Sequence, residues 1–450
     1  MTALHSSAPL EPGVEVDLVV TGIAHGGVGV ARHEGRVVFV ADAIPGERVR
    51  ARVTDAKKKS FARATAVEVL DASPDRREHV WAEAAIARDP EHRAGGAEFG
   101  HISLERQRAL KAEVLADAMQ RFGGVQLTAE GADDAADALA DIVEPPPVFV
   151  DDEDADPDPA ADSGLGYRTR VRLHVDPETG AVGPYAARSR RVIPVESLPL
   201  ATEGINQIAP LAEAMPGVDT VDLVDPSGDD PRMLLTLAGE KQRSGASDPI
   251  HEWVEDRGFL VRAGGFWQVH RAAPAVLFTA VRDAIGELID DGRFDPVAGN
   301  LDLYGGAGLL AAAVAEAAGP GVKIATVEAE AAATEDAAEN LSAIVGALAH
   351  TARVDRHLAD LLRASGPVRE RLRRGTVVLD PPRAGAGNGV TAQLAELAPM
   401  NIVYVACDPV SLARDTKSLR DSGYELTGLR AFDIFPHTHH FESLAVFQRA

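Results

Sequence analysis

From about Gly265 to its end, the chain alternates short apolar, β-branched runs with helical stretches, and that grammar commits it to a mostly parallel sheet. Strands are predicted at 300–304, 323–328, 375–380, 402–406 and 443–447, and helices over 309–318 and 331–348. The run Ile402, Val403 and Val405 reads as a buried strand that delivers Cys407 at its carboxyl end, where open α/β sheets place their ligands. Asp408-Pro409 ends the strand, and a helix begins near Pro409. Cys407 is the only cysteine in the chain. A thiol just before a helix amino terminus sits in positive potential, so a thiolate nucleophile is expected there. A lone cysteine is equally at home as a packing residue.

Composition bounds the alternatives. A chain of 450 residues with 45% hydrophobic content divides into several domains with real cores. One cysteine excludes an internal disulfide framework and a cysteine-held zinc or iron–sulfur site. Residues 1–12 carry no basic segment followed by an apolar run, and no stretch is long enough to cross a bilayer, so a cytoplasmic protein without a membrane partner is expected. The net charge of −24 argues against nucleic acid, because phosphate repels a negative surface. The charge is unevenly spread: thirteen acidic residues and no Lys or Arg lie between Glu130 and Asp162, which leaves −11 for everything else. Residues 128–163 therefore read as a disordered acidic insertion or linker.

Before that insertion, residues 13–70 read as a small β-barrel. Strands at 14–20, 36–40 and 49–53 are punctuated by Gly22, Gly26, Gly27, Gly29 and the turn Ile44-Pro45-Gly46-Glu47. Lys57-Lys58-Lys59-Ser60-Phe61-Ala62-Arg63 forms a basic loop with one aromatic, either a solvated loop or a single-strand RNA contact. A helix is predicted from about Leu104 to Phe122, closed by Gly123-Gly124. Further on, Arg168, Arg170 and Arg172 share one face of a predicted strand, a phosphate-tracking surface or simply an exposed sheet face.

Four stretches can carry chemistry. Leu301-Asp302-Leu303-Tyr304-Gly305-Gly306-Ala307-Gly308 is a strand, a Gly-rich turn and a helix start, which suits close approach of a ligand and fits dinucleotide sites as well. Glu328 ends the next strand, either as a carboxylate for ribose hydroxyls or as an exposed strand-end residue. Leu379-Asp380-Pro381-Pro382-Arg383 ends a strand in an acid and stiffens the loop with two prolines. Phe435-Pro436-His437-Thr438-His439-His440-Phe441-Glu442 gathers three histidines near a glutamate, with no companion ligand cluster to make a metal centre.

In this order the motifs resemble a class I S-adenosylmethionine methyltransferase. With the late His440-x-Glu442 and Gly265-Phe266-Trp267-Gln268-Val269-His270, the chain resembles the bacterial RNA uracil-5-methyltransferase family, and 13–70 resembles a TRAM domain, an OB-like RNA-binding barrel. The resemblance implies an α/β protein in three parts: the barrel over 11–70, an α+β central RNA-binding region over 71–264, and a Rossmann-like methyltransferase domain over 265–450. It implies that Cys407 is the nucleophile and Glu442 the general base, and that Gln268, Tyr304, Glu328 and Asp380 bind S-adenosylmethionine, with no metal. The implied substrate is a uridine in structured RNA, ribosomal rather than transfer RNA, handled by a monomer. The same chemistry on transfer RNA, an inactive RNA-binding protein of this fold, and a methyltransferase of DNA or small molecules are the alternatives.

The sequence departs from the family pattern in places. Ala94-Gly95-Gly96-Ala97 stands where many members have Cys-Gly-Gly-Cys of an iron–sulfur site, so no cluster is expected. Asp408 follows the cysteine where Asn is frequent, His270 replaces an Asn, and the glycine turn begins Tyr304-Gly305 rather than with a cysteine before the glycine. The basic loop and the Arg168–Arg172 strand are the expected RNA path across an otherwise acidic surface.

Overall fold

The computed structural model describes residues 10–127, 142–145 and 163–449. The first five strands, β1 (Glu15–Ala24), β2 (Val28–His33), β3 (Arg36–Ala41), β4 (Arg48–Asp55) and β5 (Phe61–Asp71), close a barrel in the order β1-β2-β3-β5-β4. Strict alternation in β1 turns Val16, Leu18 and Val20 inward onto Val38, Val49 and Ala64. Closure leaves no free strand edge. On the outer face Arg48, Arg50 and Arg52 of β4 are paired with Asp71, with Asp17 and Glu68, and with Glu15 and Asp89. Lys57, Lys58 and Lys59, in the turn before β5, stay exposed.

Helix α1 (Leu104–Ala118) follows, and one wider turn (Met119–Gly123) ends at Gly124 in the left-handed conformation, φ +63°. Residues Val143–Glu144 form a short strand, β6, which pairs in parallel with the chain near Ala431 and Phe432, with Val143 buried. This corrects the expectation of disorder at 142–145: one buried valine and an Arg430–Glu144 ion pair tie the segment to a sheet edge. The rest of the acidic insertion lies outside the described residues. The central sheet runs β10-β9-β7-β8, from β7 (Arg170–Val175), β8 (Val182–Gly183), β9 (Val218–Val224) and β10 (Arg232–Leu237), with helix α2 (Glu203–Ile208) alongside.

The hairpin β11 (Pro249–Val254) and β12 (Arg257–Arg262) leads to helix α3 (Ala273–Asp290), and its Ile250, Val254, Phe259 and Val261 join the core of the carboxyl-terminal sheet. That sheet is built from β13 (Asn300–Leu303), α4 (Leu309–Ala318), β14 (Ile324–Glu328), α5 (Ala331–Asn340), β15 (Ala347–Thr351), α6 (Val354–Leu362), α7 (Gly366–Arg373), β16 (Thr376–Leu379), α8 (Gly387–Leu397), β17 (Asn401–Ala406), α9 (Pro409–Asp421), β18 (Tyr424–Phe432) and β19 (Glu442–Arg449). Its order is β15-β14-β13-β16-β17-β19-β18-β6, parallel up to β17 and antiparallel across β17, β19 and β18. Alternate residues feed two apolar layers: Val378, Val403 and Val405 face one, Val377, Leu379, Ile402 and Tyr404 the other. The helix expected over 331–348 stops at Asn340, because Gly346 passes so close to the Val322 carbonyl that the chain re-enters the sheet as β15. Among the described residues, no helix is long and apolar enough to cross a membrane.

Candidate active site

The parallel strands put their ends side by side. Leu303 is in register with both Val327 and Leu379, and Leu379 with Tyr404, so Tyr304, Glu328, Asp380 and, two residues further on, Cys407 follow one another along a single edge. From the other side β19 arrives antiparallel. Ala406 pairs with Ser443, and one more step of that register sets Glu442 beside Cys407.

The glycine turn after β13 is built for close approach. A Cβ on Gly305 would collide with Thr326 and Asp302, whereas Gly306 and Gly308 have positive φ and Gly306 faces open space. Glu328 Oε2 accepts from the Gly306 amide at 3.2 Å, and its Oε1 accepts from the amides of Ala329 and Glu330. Oε1 is thereby filled by two donors, and Oε2 keeps a lone pair for another. Beneath the turn, Asp302 is wholly buried and accepts from Thr326 Oγ1 at 2.9 Å. Burial pushes Asp302 to about 7, and burial with the Asp302 charge pushes Asp380 to about 7. Tyr304 holds the left-handed conformation, φ +62°, uncommon for a bulky side chain and a mark of a constrained site. Gln268 stands apart from this row. It lines a separate cavity with Trp253, Trp267 and His270. His270 is buried, stacks on Tyr167 at 4.7 Å and accepts from the Ala272 amide, and burial holds it down at about 3, so it stays neutral.

Cys407 is half-buried and opens into a small cavity of about 90 Å³ lined by His25, Lys111, Arg383, Asp408, His439, His440 and others. The volume is well below the roughly 300 Å³ at which drug-sized pockets begin and suits one flat ring. The expected thiolate is not the resting state. Burial, then Glu442, Asp380 and Asp408, push the thiol up to about 12, with Arg383 opposing. The helix end that would have favoured the anion is already occupied, because Asp408 caps α9, its Oδ1 accepting from Ser411 N at 2.8 Å. Glu442 is buried, its Oε2 has no hydrogen-bond partner among the described residues, and burial and Asp380 raise it well above the usual carboxylate range.

The three histidines of the tail motif diverge. His437 is wedged against Gln107 and the Ser163 carbonyl, His439 faces Glu98 at 3.7 Å, and His440 touches Arg383 at 3.4 Å. Among the described residues no group of three or more His, Cys, Asp or Glu could hold a metal ion. Ala94 and Ala97 are buried and line a neighbouring cavity that shares Gly26, Gly27 and His439 with the thiol pocket.

Three pocket residues escaped the sequence reading. Lys111 is carried on α1 and reaches Asp433 and the Phe435 carbonyl, and its signal was a lysine on the same stripe as Leu115 and Ala118. Arg383 stood in a quoted motif without a role. His25 comes from the barrel, and nothing near it in the sequence points to the pocket.

The expected arginine surface is corrected. Arg170 is turned inward, donating to the carbonyls of Ala263 and Gly265 and pairing with Glu252, and Arg172 is neutralised by Asp222 at 2.7 Å. The basic loop keeps its place: Arg63 lies over the rings of Phe39 and Phe61 at 5.9 and 5.7 Å.

Comparison with known proteins places this arrangement. The family model "TRAM domain" matches residues 9–67, and "tRNA (Uracil-5-)-methyltransferase" matches residues 299–450. An uncharacterised RNA methyltransferase of Streptomyces avermitilis is 34% identical, covering 97% of this chain and 99% of that protein. The 23S rRNA (uracil(1939)-C(5))-methyltransferase RlmD of Alkalilimnicola ehrlichii is 30% identical, covering 98% of this chain and 97% of that protein. The chain belongs to the RNA uracil-5-methyltransferase family. Members of the RNA uracil-5-methyltransferase family use S-adenosylmethionine, and the open glycine turn beside Glu328 and Asp380 is a fitting cradle for that cofactor. The same fold is seen in the tRNA (uracil-54, C5)-methyltransferase of Pyrococcus abyssi, with a TM-score of 0.64 over 96% of this chain and 100% of that one, at 18% identity.

Proposed function

We propose that this enzyme methylates carbon 5 of a uridine in structured ribosomal RNA through a covalent adduct between Cys407 and carbon 6. The observation that carries this reading is the β17–β19 register, which brings a lone cysteine and a buried glutamate together at the sheet edge. Near-full-length relatives named for 23S rRNA support ribosomal over transfer RNA. The protein acts as a cytoplasmic monomer. RNA approaches over Lys57–Lys59 and the Arg63–Phe39–Phe61 cluster, a basic path with stacking rings.

Carbon 5 of uracil is a poor nucleophile. Addition of the Cys407 thiolate at carbon 6 converts the ring to an enolate whose carbon 5 can attack an electrophilic methyl. The cofactor, when bound, supplies that methyl as a sulfonium, and Tyr304, Glu328 and Asp380 would hold it, whereas Gln268, the fourth expected ligand, lines a separate cavity. Arg383, a cation that favours the charged forms of both Cys407 and Glu442, faces the negative charge as it moves from sulfur to the ring.

Cys407 and Glu442 repel each other's charge, so the pair carries at most one negative charge at a time. While sulfur is anionic, Glu442 stays protonated. Once sulfur is a neutral thioether, the repulsion is gone and Glu442 ionises most readily, giving its proton to solvent as the Cys407 thiol did before addition. It then takes the proton from carbon 5, the electron pair forms the 5,6 double bond, and the thiolate leaves. The target base must leave its stack to meet Cys407, at a cost of a few kcal/mol.

Incubation of unmodified 23S ribosomal RNA with the protein and tritiated methyl donor is expected to label one uridine at carbon 5, and Cys407→Ala is expected to abolish labelling. Full labelling by Cys407→Ala would sink the adduct, and labelling confined to transfer RNA would overturn the choice of RNA.

A further inference from the structure

We propose that His25, a residue of the barrel, is a positioning residue that sets the reactivity of the Cys407 thiol by neutralising Asp408. The proposal rests on Cys407 being the nucleophile, but its test reads the thiol directly and needs neither RNA nor methyl donor.

The β1–β2 turn, His25-Gly26-Gly27, is the part of the barrel that enters the wall of the thiol pocket. His25 Nε2 lies 3.2 Å from Asp408 Oδ2. The two oxygens of Asp408 divide their work: Oδ1 accepts from the Ser411 amide and hydroxyl and starts α9, and Oδ2 meets the barrel. The turn is held in place by fit. Gly27 has φ +69°, and a Cβ there would lie 2.6 Å from the Cβ of His439. His25 is therefore delivered to Asp408 by packing, not by a flexible loop.

The electrostatics give the contact its consequence. The carboxylate of Asp408 immediately follows the thiol, and it cancels the helix-end potential that would favour a thiolate. It also counts among the charges that raise Cys407, with Glu442 and Asp380, against Arg383. An imidazolium on Asp408 removes that opposition. Asp408 in turn raises the proton affinity of His25, first through the hydrogen bond, against burial and the nearby Arg414. Asp408 itself is held down at about 2, because the His25 and Ser411 hydrogen bonds outweigh burial. The departure from Asn at position 408 thus comes with its own counter-charge, supplied from a domain at the other end of the chain.

The 450-residue chain carries a single cysteine, so alkylation by iodoacetamide, followed by mass spectrometry, reports Cys407 alone. Rates are measured from pH 6 to 9 for the wild type, His25→Gln, His25→Ala, Asp408→Asn and His25→Ala/Asp408→Asn. At pH 7 both His25 variants are expected to react roughly three- to ten-fold more slowly than wild type, the effect of about half to one pKa unit on a thiol. The gap closes as pH rises and wild-type His25 loses its proton. In the Asp408→Asn background, His25→Ala is expected to change the rate less than about two-fold, the signature of action through Asp408. A His25→Ala rate that is unchanged or faster overturns the proposal, and so does an equal slowing in the Asp408→Asn background. Failure of methyl transfer with this alkylation pattern intact overturns the reaction assigned above and leaves the His25 role standing.

Discussion

Lys111 and Asp433, each about 1% exposed, form a 2.5 Å ion pair that joins α1 to the end of β18. Lys111 also donates to the Phe435 carbonyl at 3.0 Å, and four residues earlier on α1 Gln107 bonds His437 through both its backbone and its ring. One face of α1 therefore fixes the segment that carries His439 and His440 into the pocket and leads on to Glu442. Lys111→Met leaves Asp433 buried without its partner, and a loss of about 3–5 kcal/mol is expected by urea denaturation. Lys111→Met/Asp433→Asn is expected to recover more than half of it. Equal stabilities for the single and double variants would show that packing, not charge, holds this seam.

Glu442→Gln keeps the shape of the side chain and removes the proton acceptor. Methylation of the ring is expected to proceed while elimination stalls, so a covalent protein–RNA species accumulates and resists denaturing electrophoresis. Turnover is expected to fall by about 10²–10⁴. Because Glu442 is buried with an unpartnered oxygen, the variant is expected to be no less stable than wild type.

Asp302 gives the fold a pH dependence of opposite sign to the common carboxylate case. Its folded pKa is raised from 3.8 to about 7, so the folded state holds a proton that the unfolded chain has lost. Its contribution is fully present below about pH 4 and is lost as pH climbs through 7. Asp302→Asn keeps an acceptor for Thr326 and carries no charge. It is expected to match wild type near pH 3.5 and to exceed it by about 1–3 kcal/mol at pH 8, allowing for sharing of the proton with Asp380. Thermal unfolding across that range checks it, and a stability gain that is flat with pH would exclude a buried charge as the cause.

The methyltransferase sheet was legible because its strands are short, apolar and bounded by turns. Leu309–Ala318 is the predicted helix residue for residue, and Cys407, Asp380 and Glu328 stand at strand ends as their apolar runs implied. The edge was not legible. Leu348 in β15 is exposed, and β18 is broken by an irregularity between Leu426 and Gly428, so neither carries a clean period. Spacing also placed Arg168, Arg170 and Arg172 on one face without revealing that Glu252 and Asp222 wait opposite two of them. Helix-end reasoning assigns Cys407 a favourable potential, whereas the residue that cancels it, Asp408, reads in the sequence as a strand end and a departure from pattern. What sequence could not offer was the meeting of distant segments: His25 and Lys111 line the pocket of Cys407 and Glu442 stands beside it in register, from three parts of the chain.

Gly27 leaves no room for a side chain between the barrel and His439. The module that grips RNA and the module that performs the chemistry are therefore not interchangeable parts. A chimera that borrowed its barrel from a distant relative would inherit a different ceiling over the sulfur, and one that discarded the barrel would strip His25, Gly26 and Gly27 from the wall around Cys407.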